Sequence, residues 1–364
     1  MKILTTAGTS VITKKGNNHF KNISETDCAL ELSKITGFDT RKGAEINSLE
    51  KMFAKYPGGD NEIVLMGSNN EDGKKAMNIV KYYFEMKNIK IETREIESLD
   101  HTLGIELFKK GLTKLVRDVG EIYKKCRAEN IEVAINATGG YKAQTSFVGL
   151  VGQMLKVDVY YMFEEFSDVM KLPAIPIDFD LKLIRKHQSL LYEIRKDPEA
   201  NTIAEIKKEI EDEAIIGLFE ELDNHYWLSP MLEMALVILE SESGKVLEKV
   251  LLCEDPKLPT IEEISRTLNF SIKHEDGNAN KVRGLDNFFK KIAKTGYVKV
   301  IKSTAMQPQI KQPFLLKPGN NEKEINGVFN ANDRGIKFNI FTTANNKLER
   351  DCILNYFLTS CNFC

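Results

Sequence analysis

Two glycine turns in this 364-residue chain carry the residue types that handle phosphate. The first is "NATGGYKAQ", Asn136 to Gln144, directly behind the apolar run "IEVAI". Gly139 and Gly140 permit a sharp turn and let a ligand come close to the main chain, because neither has a Cβ. The amides that follow, from Tyr141 onward, would point at that ligand, and a helix N-terminus carries about half a positive charge. Lys142 adds a mobile cation and Thr138 a hydroxyl. The second turn is "GTS", Gly8, Thr9 and Ser10, behind "MKILTTA". Neither turn has Walker A or dinucleotide-fingerprint spacing. Two readings therefore stand: an anion flanked by Ser10 and Lys142, or tight turns with a solvated lysine.

Both turns sit where strands should end. The first 180 residues alternate short apolar strands with amphipathic helices, the pattern of an α/β domain with a parallel sheet covered on both faces. Strands are expected at "MKILTTAG", "NEIVLMGS", "IKIETREI", "IEVAINATGG" and "VDVYYMFEEF", and Ser24 or Thr26 should cap the helix after the first. Such sheets bind ligands outside the carboxyl ends of their strands. A third small turn, Gly67-Ser68, ends "IVLM" and makes Ser68 a further candidate for ligand contact.

Composition sets outer limits. The chain is 42% hydrophobic and 29% charged, long enough for two or three modules, and no apolar run approaches the ~20 residues that span a bilayer. The N-terminus enters a strand at once, which points to a cytoplasmic protein. The six cysteines are expected to be reduced thiols. Residues 201–263 hold 5 Lys/Arg against 16 Asp/Glu, whereas residues 281–350 hold 14 against 5. The last third should therefore meet something anionic.

Four stretches, "TTAGTSVIT", "AEINSL", "NATGGYKAQ" and "YYMFEEFSDVMKLPAIPIDFD", resemble in that order the CARF domain of the CRISPR-associated APE2256-type ring nuclease family. The resemblance covers about residues 1–180. It implies a Rossmann-like sensor that forms a homodimer and binds a cyclic oligoadenylate, most readily the tetra-adenylate, across its two-fold axis. It also implies that Ser10 and Lys142 matter most for cleavage. No metal or other cofactor would be needed: a ribose 2'-hydroxyl attacks the adjacent phosphorus, Lys142 stabilises the added charge, and Ser10 orients the reacting unit. Neither motif contains histidine, so general-base help should be weak and turnover slow. Asn136 would hydrogen-bond an adenine or hold the turn, and Gln144 is another candidate contact. Glu164 and Glu165 should cap or dimerise, and His187 and His225 read as surface residues.

Behind the sensor the sequence divides into a helical connector (181–225), a winged-helix-like domain (226–303) and a basic α+β segment (304–364). "PTIEEISRTLN" and "NANKVRGLDNFFKKIAKTG" read as a helix-turn-helix and "YVKVIKS" as a wing. Lys290, Lys291, Lys294, Lys299 and Lys302 make one side basic, suited to DNA, RNA or a ribosome, or else a plain solvated face. The closing strand, turn and helix are loosely similar to the end of RelE-type mRNA interferases, with Lys337, Lys347, Arg350 and Tyr356 as candidates. A HEPN ribonuclease motif is not present: "RDCILN" has asparagine where histidine is needed. Three functions stay open: a ring nuclease that ends its own signal, an activator-gated effector, and a ligand-responsive transcription regulator.

Overall fold

The computed structural model describes residues 1–56, 61–163, 166–176, 179–260, 263, 284–331 and 334–360. The chain forms two units, residues 1–179 with 228–238, and residues 180–227 with 239–364.

Unit one is built on six strands: β1 (Lys2–Thr6), β2 (Glu62–Ser68), β3 (Lys90–Ile96), β4 (Val133–Asn136), β5 (Asp158–Tyr161) and β6 (Met170–Lys171). Their order is β3-β2-β1-β4-β5-β6, parallel except for the short edge strand β6. Helices α1 (Ser10–Thr13), α2 (Glu25–Ser33), α3 (Gly43–Lys55), α4 (Glu71–Glu85), α5 (Ile105–Ala128) and α6 (Lys142–Leu155) connect them. All of β4 and four residues of β1 are buried, as strands covered on both faces must be. Ser24 caps α2 by accepting the Asp27 amide hydrogen at 3.1 Å. Strand order reverses between β1 and β4, so a crevice opens beyond their carboxyl ends. Both glycine turns stand there.

Residues 228–238 join this unit because Gly120 on α5 leaves room for Val237, which a Cβ would meet at 2.4 Å. Beside it Arg117 pairs with the buried Glu233 at 2.9 Å.

Unit two holds the helices Leu181–Lys196 and Ile203–Glu209, a hairpin and a four-stranded antiparallel sheet. The hairpin, β7 (Phe219–Leu222) and β8 (His225–Leu228), stands at the end of the stretch expected as a helical connector, 181–225. Asp223 and Asn224 turn it with φ of 51° and 62°, a conformation that Asp and Asn tolerate in two-residue turns. The sheet runs β10 (Phe314–Pro318), β11 (Glu324–Ala331), β12 (Arg334–Thr342), β9 (Val298–Pro308), and the helices Leu285–Ala293 and Lys347–Ser360 bury apolar residues in its core. The expected boundary at 303/304 falls inside β9, and β9 pairs with β12, so residues on both sides of it share one sheet. The first helix of the expected helix-turn-helix lies almost wholly outside the described residues. His187 is a core residue, not a surface one, because the helix Leu181–Lys196 turns it inward.

No helix among the described residues is long and apolar enough to cross a membrane.

Candidate functional site

The two turns touch each other. A Cβ on Gly8 would sit 3.1 Å from the Gly140 Cα and N, and the Thr6 hydroxyl donates to the Gly139 carbonyl. Gly140 has φ of 107°, open to glycine and strained for other residues. The glycines are therefore needed for turn-on-turn packing as well as for any ligand.

Beneath them lies a residue that the motif reading missed. Glu45, in the first turn of α3's sequence "GAEINSL", is 1% exposed and drives its carboxylate between the turns. Oε1 accepts the Gly8 amide hydrogen at 2.7 Å, and Oε2 accepts the Ser10 hydroxyl at 2.8 Å. The Gly140 amide also favours the charged form of this carboxylate. A Cβ on Gly139 would lie 2.5 Å from the Glu45 side chain, which explains the first glycine of the pair. Burial pushes the Glu45 carboxyl above its ordinary pKa, and the bonds from Gly8, Ser10 and Gly140 oppose that shift. Among the described residues no cation pairs with it. The Gly8 amide thus already serves an internal anion, and of the amides expected to point at a ligand, from Tyr141 onward, the Tyr141 amide is taken by the Gln144 side chain. "AEINSL" carried the signal as a glutamate among apolar helix positions.

The remaining candidates divide by burial. Asn136 is 0% exposed, gives its amide to the Ser48 hydroxyl at 2.8 Å and takes the Thr138 hydroxyl at 2.6 Å. Of its two readings, this geometry is that of holding the turn. Thr138 in turn accepts the Met162 amide at 3.0 Å, tying β4 to the segment after β5. Gln144 is also 0% exposed; its carbonyl caps α6 by accepting the Tyr141 amide at 3.0 Å. Ser68 is buried at the end of β2, where its hydroxyl accepts the Asn70 amide at 3.4 Å. The Thr9 carbonyl accepts the Ile12 and Thr13 amides that open α1. The Tyr141 hydroxyl meets His101 Nδ1 at 3.2 Å, and its ring edges onto Phe108.

Lys142, the first residue of α6, is exposed and lines a cavity of about 240 Å³ together with Lys14, Gly43, Ala44, Thr138 and Gly140. Ser10 lies against that wall: its oxygen accepts the Ala44 amide at 3.1 Å, and a Cβ on Gly43 would come within 2.8 Å of it. The structure therefore brings Ser10, Lys142, Thr138 and both glycine turns to one rim. Glu164 and Glu165 lie outside the described residues.

In unit two the four effector candidates have separate surroundings. Arg350 is 6% exposed and holds the Gly319 and Asn321 carbonyls at 3.0 and 2.8 Å and Asp351 at 2.7 Å. It is a structural clamp. Tyr356 packs edge-on to Tyr297, and Lys347 is exposed at the start of the closing helix. Lys337 faces a cavity of about 250 Å³ on the open face of the sheet, shared with Lys317, Asn326 and Asn339. His225 Nδ1 lies 3.0 Å from the Asn201 carbonyl.

Residues 40–175 match the family model of a CRISPR-associated protein (Cas_APE2256). Over this stretch the chain is similar to that family. The matched stretch takes in Glu45, the glycine pair and Lys142, while Gly8 and Ser10 precede it. Solved structures similar to the chain include protein VC1899 from Vibrio cholerae, with 7% identity and a TM-score of 0.26 over 94% of this chain and 77% of that one. Another is Can2 from Sulfobacillus thermosulfidooxidans in complex with cyclic tetra-adenylate, with 8% identity and a TM-score of 0.26 over 70% of each chain. Neither likeness is close enough to carry a functional statement.

Proposed function

We propose that unit one binds a cyclic oligoadenylate, the tetra-adenylate in particular, and cleaves it as a ring nuclease without a metal ion. The observation that carries this reading is the meeting of the Ser10 and Lys142 turns beside one cavity at the strand-order reversal of a CRISPR-associated domain. Lys142 and Lys14 supply positive charge to the cavity wall, and Thr138 and Ala44 line it between them. A ring with four phosphates matches a two-fold homodimer, which offers two copies of each turn. Exposed apolar residues just before and at the start of α5, Leu103, Ile105 and Leu107, suit burial in such a dimer; Ile105 is 72% exposed. In-line attack by a ribose 2'-hydroxyl then opens the ring, with Lys142 stabilising the phosphoryl oxygens. Purified protein in excess over cyclic tetra-adenylate, in EDTA, should convert the ring to linear products on chromatography. A ring that binds and stays intact overturns cleavage, and a ring that does not bind overturns the whole reading.

One observation favours a second role, in unit two. Lys317 and Lys337 flank a sheet-face cavity in the basic last third of the chain, an arrangement suited to an RNA phosphate backbone. Ring-dependent RNA binding, lost at high salt and weakened in Lys337→Ala, is the expected result; RNA binding indifferent to ring and to Lys337 removes this role.

A further inference from the structure

The proposed reaction needs a group to take the proton of the attacking 2'-hydroxyl, and the turn motifs contain no histidine. The buried carboxylate of Glu45 stands one hydrogen bond behind Ser10. A serine hydroxyl has one proton and two acceptor lone pairs. In this site the proton points to Glu45 Oε2 at 2.8 Å, and one lone pair takes the Ala44 amide at 3.1 Å. The other lone pair is left for a donor, and Ser10 is only half-buried, beside the cavity-lining Gly43 and Ala44.

We propose that Glu45 receives the 2'-hydroxyl proton through Ser10. The inference rests on the ring-nuclease reading. In the step, the 2'-oxygen bonds to the adjacent phosphorus as the bond from phosphorus to the 5'-oxygen breaks. The 2'-hydroxyl proton passes to Ser10 Oγ while the Ser10 proton passes to Glu45 Oε2. The leaving 5'-oxygen takes a proton from the Lys142 ammonium. Solvent exchange afterwards returns Glu45 to the carboxylate and Lys142 to the ammonium, so no other reactant is consumed. Ser10 is the catalytic residue because it touches the substrate; Glu45, acting through it, is a positioning residue that holds the proton.

The surroundings suit a base of this kind. Desolvation moves the Glu45 carboxyl upward from the ordinary carboxylate range, toward the pH at which a base is most effective. The groups facing it from the β1 turn are the Gly8 amide and Ser10, and from the β4 turn Gly139 and the Gly140 amide, none of which titrates near neutrality. Of the charged side chains on these elements, Lys42 is held by Glu50 at 2.8 Å, and Lys14 and Lys142 line the cavity.

Single-turnover cleavage of cyclic tetra-adenylate across pH tests the relay, with ring binding measured separately. The wild-type rate should rise about tenfold per pH unit on its acid side and then level off. Glu45→Gln should bind the ring, cleave at least about 100-fold more slowly on the plateau, and lose the acid limb. Glu45→Asp should restore part of the limb. An acid limb that persists in Glu45→Gln, or a plateau rate within threefold of wild type, overturns the relay while leaving the ring nuclease standing. Should Glu45→Gln fail to fold, Ser10→Ala decides, because an acid limb that survives without the hydroxyl overturns the relay equally. A wild-type protein that binds but never cleaves overturns the nuclease reading itself, and the relay with it.

Discussion

The Ser10 hydroxyl donates to the Glu45 carboxylate at 2.8 Å, joining residues 35 apart in sequence. The contact connects the turn after β1 to the first turn of α3, and through the Gly140 amide to the turn after β4. One buried carboxylate thereby organises the three segments that surround the cavity. Its desolvation is costly, and the Gly8 amide and the Ser10 hydroxyl help to offset it.

That packing predicts a steep cost for any Cβ in the glycine pair. Gly140→Ala forces a left-handed conformation on alanine and places its Cβ 2.4 Å from Gln144 Oε1. A loss of about 2 kcal/mol or more is expected in urea denaturation. Gly139→Ala collides instead with Glu45 and should alter ring cleavage as well as stability. Wild-type stability in both variants would contradict this packing.

Lys142→Ala should leave the melting temperature unchanged, since the side chain is exposed at the helix start. Ring affinity, measured by calorimetry, should fall by about 10- to 100-fold, the worth of a charge-assisted hydrogen bond. An unaltered affinity would make Lys142 a solvated first-turn lysine and nothing more.

The turns, strands and helices of unit one were legible because each announces itself locally. Apolar runs end at Gly-Thr-Ser and at Thr-Gly-Gly, and Ser24 marks a helix start. Glu45 was not legible as a site residue, since only the fold shows that its helix enters beneath both turns. The roles of Gly139 and Gly140 were half legible: their need for open backbone was plain, but the object they make room for was not. In unit two the strand-turn-helix ending at residue 360 matched its periodicity. The hairpin at 219–228 did not, because "GLFEEL" and "HYWL" also fit a helical phase and the Asp-Asn turn between them is a weak signal without glycine.

Arg350 illustrates the hazard of reading a basic motif as chemistry. Its guanidinium satisfies two loop carbonyls and Asp351, whose own carboxyl is raised by burial against the pull of Arg350. Arg350→Ala should therefore destabilise the protein by about 2–4 kcal/mol. Chemical denaturation reads this directly, and a fully stable variant would reopen a functional role for the arginine.

Glu193 gives unit two a pH signature. Burial, and then the charge of Glu209, push its carboxyl up to about 7, against Lys317. The folded state holds that proton more tightly than the unfolded chain, whose value is 4.5. The neutral form's advantage is complete below about 4.5, and stability is lost as pH climbs toward about 7, by up to about 3 kcal/mol. Glu193→Gln should flatten this part of the stability–pH curve. An unchanged slope in the variant would assign the dependence elsewhere.

The central claim, that this rim cuts a ring by attack of its own 2'-hydroxyl, is tested most directly by mass spectrometry of the product ends. Wild-type protein with cyclic tetra-adenylate in EDTA should yield linear products that end in a 2',3'-cyclic phosphate and carry no added water, and Ser10→Ala should yield almost none. Products with an added water at the cleaved phosphate, or equal product from Ser10→Ala, would contradict the mechanism.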